Sequence, residues 1–377
     1  MKDYVIITDF CLTARNRGTA ALGYGAISFL RERGYIDSDT KIVSYHIHWN
    51  PFHKSREYSL RVQGQITQFK DIHINMFEYQ LFNKLGIVIP FLPIGRMFKR
   101  LKCIAAINGG DGFSDIYGKD LYDSRNNEAK MAMKVGAPLI ILPQTIGPFT
   151  DPEILKEATC ILKYASEVYV RDNKFTSELD RMGIKYEQTK DLSAYMIPEP
   201  WDINIKPNSV GINVSGLAYS NKFLDLAGQF EVYPELIDKL ICFFRDKGHT
   251  VYIIPHAYGY YNPEKNNDDM IACREAYARL QDKSNVVLID KDLISPRIKY
   301  VISQMKFFCG TRMHANFAAI YTGVPVFGLS YSYKFEGAFL ANGLDAQKQT
   351  ASIINITSYD IDKIIKKIDY FYKESFK

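Results

Sequence analysis

The chain has 377 residues, too many for one ordinary hydrophobic core, so two domains are expected. Hydrophobic residues make up 47% and charged residues 24%, the composition of a soluble globular protein. The net charge of +5 suits an acidic small substrate or an anionic surface and excludes a dedicated nucleic-acid binder. The cysteines (Cys11, Cys103, Cys160, Cys242, Cys273, Cys309) are scattered and form no C-x-x-C pair. Several lie in apolar runs, which favours buried free thiols in a reducing cytoplasm over disulfides or a metal site. Met1 leads straight into a strand pattern without a signal-peptide core, and the longest apolar run, 87–94, is too short to span a bilayer. The expected location is cytoplasmic.

Tyr4-Val5-Ile6-Ile7 is all apolar, as in a strand buried on both faces of a parallel sheet. A loop over 9–18 follows, then a helix to about Arg33 stopped by Gly34. Asn16-Arg17-Gly18-Thr19 at the loop-helix junction could cradle an anion, or could be a tight turn with a cap; it lacks the Rossmann and P-loop glycine spacing. A second strand covers 41–45. The stretch 46–100 is aromatic and basic without clear periodicity. Its end, 91–102, holds four basic residues among large apolar ones and reads either as a cationic helix packed on its domain or as a segment resting on an anionic membrane surface.

The strand 103–107 ends in Asn108-Gly109-Gly110-Asp111-Gly112, where glycines let a ligand approach the backbone and Asp111 could act as a base. An Asx turn would equally explain the pattern. A helix over 121–135 leads to a strand at 138–142 and the loop Pro143-Gln144-Thr145-Ile146-Gly147-Pro148. A helix over 152–164 and a strand over 167–170 end at Arg171-Asp172, where Asp172 would cap and Arg171 would project. Such alternation marks an open parallel α/β sheet, and these sheets bind ligands at the carboxyl ends of their strands.

The prolines at 198, 200 and 207 bracket a connector, after which the alternation restarts. Strands are expected at 210–214, 251–254 and 286–289, with helices over 233–247, 268–280 and 296–305. The strand end Phe307-Phe308-Cys309-Gly310 then runs into Thr311-Arg312-Met313-His314 and an Ala-rich helix over 315–321. Thr311 is expected at the N-cap. The helix N-terminus with Arg312 and His314 suits a phosphate or carboxylate, although a cap, a solvated arginine and a packed histidine would need no ligand. A strand from 324 leads to a polar loop with Lys334, and 361–372 reads as a terminal helix.

The expected fold class is therefore α/β, with two Rossmann-like parallel-sheet domains in a GT-B-like bilobed architecture and the ligand in the cleft. The domains run 1–197 and 209–357, with a linker at 198–208 and a terminal helix at 358–377 crossing back to the N-terminal domain. That architecture alone says little about chemistry.

Asn108-Gly109-Gly110-Asp111, Ile141-Leu142-Pro143-Gln144-Thr145-Ile146-Gly147-Pro148-Phe149, Tyr169-Val170-Arg171-Asp172, Gly310-Thr311-Arg312-Met313-His314-Ala315 and Gly323-Val324-Pro325-Val326 occur in this order. Together they resemble the polysaccharide pyruvyl transferase family from about Asn16 to about Leu344. One departure is Thr19, which follows Gly18 where the family commonly has an aspartate, so that loop is assigned no catalytic acid. The resemblance implies transfer of pyruvate from phosphoenolpyruvate to two hydroxyls of a sugar as a cyclic ketal, with release of phosphate. It also implies an acceptor in a bacterial-type surface glycan, such as an exopolysaccharide or capsule, or in its lipid-linked repeat unit. Arg171, Arg312, Met313, His314 and Lys334 are expected to hold phosphoenolpyruvate, with Asn16, Gly110 and Gln144 at the acceptor. His314, Asp111 and Arg312 are the expected catalytic residues. No metal or further cofactor is expected; the location is cytoplasmic, extending to peripheral contact with the inner membrane face. The alternatives are a nucleotide-sugar glycosyltransferase or epimerase on the same fold, with Glu336 as a ribose ligand, and a non-catalytic carbohydrate-binding protein.

Overall fold

The structure is a computed structural model describing residues 2–50, 54–332 and 334–377, with the side chain of Lys334 outside the described set. The chain divides into two compact units. One comprises the residues up to Phe10 with Leu22–Met196, the other Cys11–Ala21 with Ile197–Lys377.

The first unit is built on strands β1 (Tyr4–Ile7), β2 (Lys41–His48), β3 (Arg56–Val62), β4 (Gln65–Asn75), β5 (Leu101–Ala106), β6 (Leu139–Gln144), β7 (Glu167–Val170) and β8 (Glu187–Gln188). They form one eight-stranded sheet in the order β3-β4-β2-β1-β5-β6-β7-β8. Every pair is parallel except β3 with β4. β1 and β6 are wholly buried, the consequence of helices covering both faces of a parallel sheet. The stretch without clear periodicity holds the β3–β4 hairpin, whose two-residue turn places Gln63 and Gly64 at positive φ, the backbone twist that matches the strands. Helix Pro93–Arg100 buries Ile94 and Met97 in the first core, so the apolar side of 91–102 is packed on its own domain.

The helix expected over 121–135 is two helices, Lys119–Arg125 and Asn127–Val135. They meet at buried Asn126, whose amide donates to the Tyr122 carbonyl at 2.8 Å and accepts from Asn108 Nδ2 at 2.8 Å. The break therefore serves to anchor the loop after β5.

The second unit carries β9 (Ser209–Asn213), β10 (Thr250–Ile253), β11 (Val286–Leu288), β12 (Phe307–Gly310), β13 (Val326–Ser330) and β14 (Thr350–Ser352). These form a six-stranded sheet in the order β11-β10-β9-β12-β13-β14, parallel throughout. In each sheet the unit's first strand lies inside and later strands are added on both sides of it. The strand order thus reverses beside β1 in one and beside β9 in the other, which opens a crevice at the carboxyl ends of β1 and β5 and of β9 and β12.

Two expected boundaries are corrected. The loop Cys11–Ala21 belongs to the second unit, although it precedes most of the first. The terminal helix Ser358–Glu374 belongs to the second unit, where Ile361, Ile364 and Ile368 are buried in the core with Leu240, Phe244 and Phe327. Residues 198–208 contain no helix or strand, and Trp201, Ile203 and Ile205 pack against the second unit's other cluster. No helix among the described residues is long and apolar enough to cross a membrane.

The seating of the terminal helix gives a stability prediction. Ile368→Ala leaves a cavity in a fully buried site and should lower the second unit's unfolding free energy by about 2–5 kcal/mol, read from the denaturant midpoint. An unchanged midpoint would mean that the helix contributes nothing to that core.

Candidate active site

The second unit's sheet ends in a cluster of charged and aromatic side chains drawn from five segments. β9 ends at Asn213, which is fully buried. Its Oδ1 accepts from the Arg312 backbone N–H at 2.8 Å, and its Nδ2 donates to the Ile254 carbonyl at 3.0 Å. One amide thus ties the chain after β12 to the strand ends on the other side of β9. β12 then gives way to helix Met313–Ile320, whose N-cap is Arg312, without a side-chain capping bond. Thr311, expected as the cap, is instead buried, its hydroxyl 2.8 Å from the hydroxyl of Tyr233. Gly310 leaves no space for a side chain. A Cβ there would lie 2.1 Å from Oδ1 of Asn316, whose Nδ2 donates back to the Gly310 carbonyl at 3.0 Å.

The Arg312 guanidinium is held by Asp269. Nε and Nη2 donate to Asp269 Oδ1 at 3.0 and 2.8 Å, and Nη2 also donates to Asn267 Oδ1 at 2.8 Å. Burial works against the Arg312 charge, but the Asp269 carboxylate and then the Tyr331 phenol outweigh it, so its pKa is raised. Asp268, one residue earlier, is the cap of helix Asp269–Arg279, accepting from Met270 N at 2.9 Å. The pair Asp268-Asp269 therefore divides its work, one carboxylate capping and the next turned inward.

The loop Cys11–Ala21 meets this cluster. Asn16 accepts from Gly18 N at 2.9 Å in an Asx turn and bridges Ala257. The Arg17 N–H donates to the His256 carbonyl at 3.1 Å, while the guanidinium reaches Asp292 at 2.8 Å and lies 4.5 Å over the Tyr258 ring. Gly18 packs on His314: a Cβ built on it would fall 2.6 Å from the imidazole Nδ1. The glycine is needed for close approach. The His314 ring also meets Phe317 edge to face, centroids 5.5 Å apart.

His256, at the end of β10, is buried, and its Nδ1 has no hydrogen-bond partner among the described residues. Burial pushes its pKa well below that of ordinary histidine, and the charges of His314, Arg312 and Arg17 push in the same direction. His256 is therefore held neutral by burial first and by the neighbouring cations second, and would gain from an anion placed among them.

The first unit brings together a different set. After β5 the backbone turns through three successive left-handed residues, Asn108, Gly109 and Gly110, with Asn108 Nδ2 fixed on Asn126. Gly110 packs on Arg171, whose Nη1 would stand 3.1 Å from an added Cβ. Arg171 donates to Asp191 at 2.8 Å through Nη1 and to Thr145 Oγ1 at 3.0 Å through Nε. Burial opposes its charge and is outweighed by Asp191 and then Asp172, leaving the pKa raised. Asp172 does not cap the next helix, which starts after Phe175; it accepts from Thr145 Oγ1 at 2.5 Å and Lys174 N at 3.2 Å. Asp111 is half-buried and accepts from the Tyr117 hydroxyl at 2.9 Å. Gln144 is fully buried, with Nε2 donating to the carbonyls of Ala106 and Leu142 at 2.9 and 3.1 Å. This straps β5 to β6 and leaves only Oε1 without a partner among the described residues.

Of the expected residues, Asn16, Arg312, Met313 and His314 thus gather in the second unit, and Gly110, Asp111, Gln144 and Arg171 in the first. Lys334 opens helix Lys334–Ala341 and its side chain lies outside the described residues. Glu336 is exposed on that helix. Arg17 lies in the junction that could cradle an anion, while His256, Asn213 and Asp269 were not expected. Their signal was faint: His256 and Asn213 sit at ends of buried strands, and the second aspartate of Asp268-Asp269 exceeds what a cap needs.

A family model described as polysaccharide pyruvyl transferase matches residues 16–333. The chain belongs to this family. The match begins at Asn16 in the loop that meets His314 and runs through both groups of residues. The description implies a transferase acting on polysaccharide. Among curated proteins none matches. Among solved structures, UDP-GlcNAc 2-epimerase from Methanocaldococcus jannaschii is similar at 10% identity, with 98% of this chain and 92% of that chain covered and a TM-score of 0.51. The ADP-heptose LPS heptosyltransferase II of E. coli is 12% identical over 99% of both chains, with a TM-score of 0.45. At such identities the first likeness shows the fold alone, two Rossmann-like units of the GT-B type.

The neutral state of His256 sets a pH dependence. The unfolded chain takes up this proton near the ordinary histidine pKa of about 6.5, and the folded chain resists it. Its contribution to stability is therefore complete above that pH and declines as the pH falls below it. Unfolding free energies measured from pH 8 down to pH 5 (roughly the histidine range) should fall less steeply in His256→Gln than in the parent chain. Parallel curves would show that His256 is not held neutral.

Proposed function

We propose that the chain transfers pyruvate from phosphoenolpyruvate to two hydroxyls of a sugar in a surface polysaccharide or its repeat unit, forming a cyclic ketal and releasing phosphate. Phosphoenolpyruvate is a co-substrate, and no metal or other cofactor takes part. The observation that carries the reading is the grouping of Arg312, His314, Arg17 and neutral His256 at the carboxyl ends of the second sheet, in a chain of this family. A phosphate and a carboxylate close together need directed donors, and guanidinium groups held by carboxylates supply them without reorganising.

The reaction starts with a proton delivered to the methylene carbon of phosphoenolpyruvate, which leaves an oxocarbenium-like centre at the adjacent carbon. One sugar hydroxyl attacks that carbon and releases its proton. The second hydroxyl oxygen then bonds to the same carbon as the C–O bond to phosphate breaks, and its proton leaves with the phosphate. His314 is assigned the proton delivery or the stabilisation of the leaving phosphate, with Arg312 and Met313 beside it in the donor site. Asp111 is assigned activation of an acceptor hydroxyl, with Gly110, Asn16 and Gln144 shaping acceptor contacts. Arg171 and Lys334 are assigned to the donor charge.

The deciding measurement follows phosphate release and ketal formation with phosphoenolpyruvate and a panel of glycan acceptors. Arg312→Lys, which keeps the charge beside Asp269, should reduce turnover by about 100-fold or more, and His314→Ala by a similar factor. Turnover near the parent level in both variants would refute these roles. Consumption of a nucleotide sugar in place of phosphoenolpyruvate would establish the rival glycosyltransferase or epimerase reading. Gly18→Ala touches neither reactant in this scheme but displaces the His314 imidazole. It should lower turnover at least about tenfold while the melting temperature moves by only a few degrees.

A further inference from the structure

The first unit carries a run of bare aromatic and aliphatic side chains that its own core does not use. Trp49, just after β2, is 63% exposed, and its ring meets that of Phe77 edge to face at 5.6 Å. Phe77 is 70% exposed at the start of helix Met76–Leu85, and Leu85 at its end is 68% exposed. The helix buries Phe82 and Glu78 on its inner side; Phe77 and Leu85 lie on the outer side together with Lys84, at helical spacings of seven and eight residues. The chain turns at Gly86, and the following loop bares Ile87 (47%) and Phe91 (69%).

The charges around these residues have one sign. Between Met76 and Arg100 the only acid is Glu78, and it is turned inward, where it accepts from Ile94 N at 2.8 Å and so anchors the start of helix Pro93–Arg100. Lys84, Arg96 and Lys99 are exposed and form no ion pair among the described residues. Helix Pro93–Arg100 has its apolar side in the core, so its basic residues stand outward while the neighbouring helix end and loop supply the apolar contacts.

We propose that this face, formed by helix Met76–Leu85, the 86–92 loop and Trp49, docks the protein on an anionic lipid bilayer. Aromatic side chains on a helix end and a loop suit insertion at the headgroup level, where Trp gains from an apolar body and a polar edge. The unpaired lysines and arginine complement acidic headgroups, and between Met76 and Arg100 no exposed acid opposes approach. The surface differs from a protein-docking patch in its one-sided charge and in carrying its apolar groups at helix ends and in a loop. The inference is independent of the donor and acceptor chemistry proposed above.

Flotation of the full chain with vesicles tests it. The protein should rise with phosphatidylcholine vesicles containing phosphatidylglycerol, and should stay behind with phosphatidylcholine alone. Phe77→Ser with Phe91→Ser should reduce the floated fraction about tenfold, as should Arg96→Glu with Lys99→Glu. Circular dichroism checks that each variant is folded. The chain has two tryptophans. In a Trp201→Phe background, Trp49 emission should shift to the blue on adding the acidic vesicles. No flotation on acidic vesicles, equal flotation on neutral ones, or variants that float like the parent would each overturn the proposal. So would an unshifted Trp49, which would leave the face to a protein partner.

Discussion

The carboxylate of Asp269 is the interaction on which the second unit's site depends. It is fully buried and accepts the backbone N–H groups of Gly216, His256 and Ala257 at 2.8, 3.0 and 2.8 Å, besides the Arg312 guanidinium. One ion thereby fixes the chain after β9, the end of β10 and the arginine that follows β12. A buried carboxylate is costly unless its lone pairs are filled, and here they are filled by groups from three different segments. Removing its charge would loosen all three at once.

That hub also decides how the site can meet an anion. Arg312 presents a guanidinium whose orientation is already set, so little freedom is lost on binding. His256 is kept neutral by burial, reinforced by the cations around it, which makes it responsive to any negative charge introduced beside it. Gly18 and His314 add a steric condition: the imidazole occupies the space a side chain at residue 18 would need. Electrostatics and packing thus act on the same few residues. In the first unit, Asp191 does for Arg171 what Asp269 does for Arg312, supplying a buried carboxylate that holds a guanidinium in one place.

Much of the fold was legible because strands buried on both faces are runs of apolar residues, and because the helices between them stop at Gly or start at Pro and Asp. Helix Pro152–Tyr164 and the strands Tyr4–Ile7 and Glu167–Val170 emerge at the bounds their residues imply. The β3–β4 hairpin was not legible, since Arg56–Val62 is largely exposed and has no apolar alternation. The break at Asn126 was hidden too, because helical spacing continues across it while the reason for it, Asn108, lies 18 residues away. Thr311 illustrates a competition that local pattern cannot decide. Its hydroxyl could cap the helix, but the buried Tyr233 hydroxyl takes it instead.

The sequence by itself determined the α/β class, the two parallel sheets, and the location of Arg171, Arg312 and His314 at strand ends, because each follows from short-range periodicity and the residues that interrupt it. Only the tertiary structure decided what surrounds them. Asp269 precedes Arg312 by 43 residues and Arg17 precedes Asp292 by 275. Pairings of that separation leave no local pattern. The loop Cys11–Ala21 joins the second unit, and the terminal helix stays there, for the same reason: each goes where its side chains find burial and partners, which neighbours in sequence do not specify.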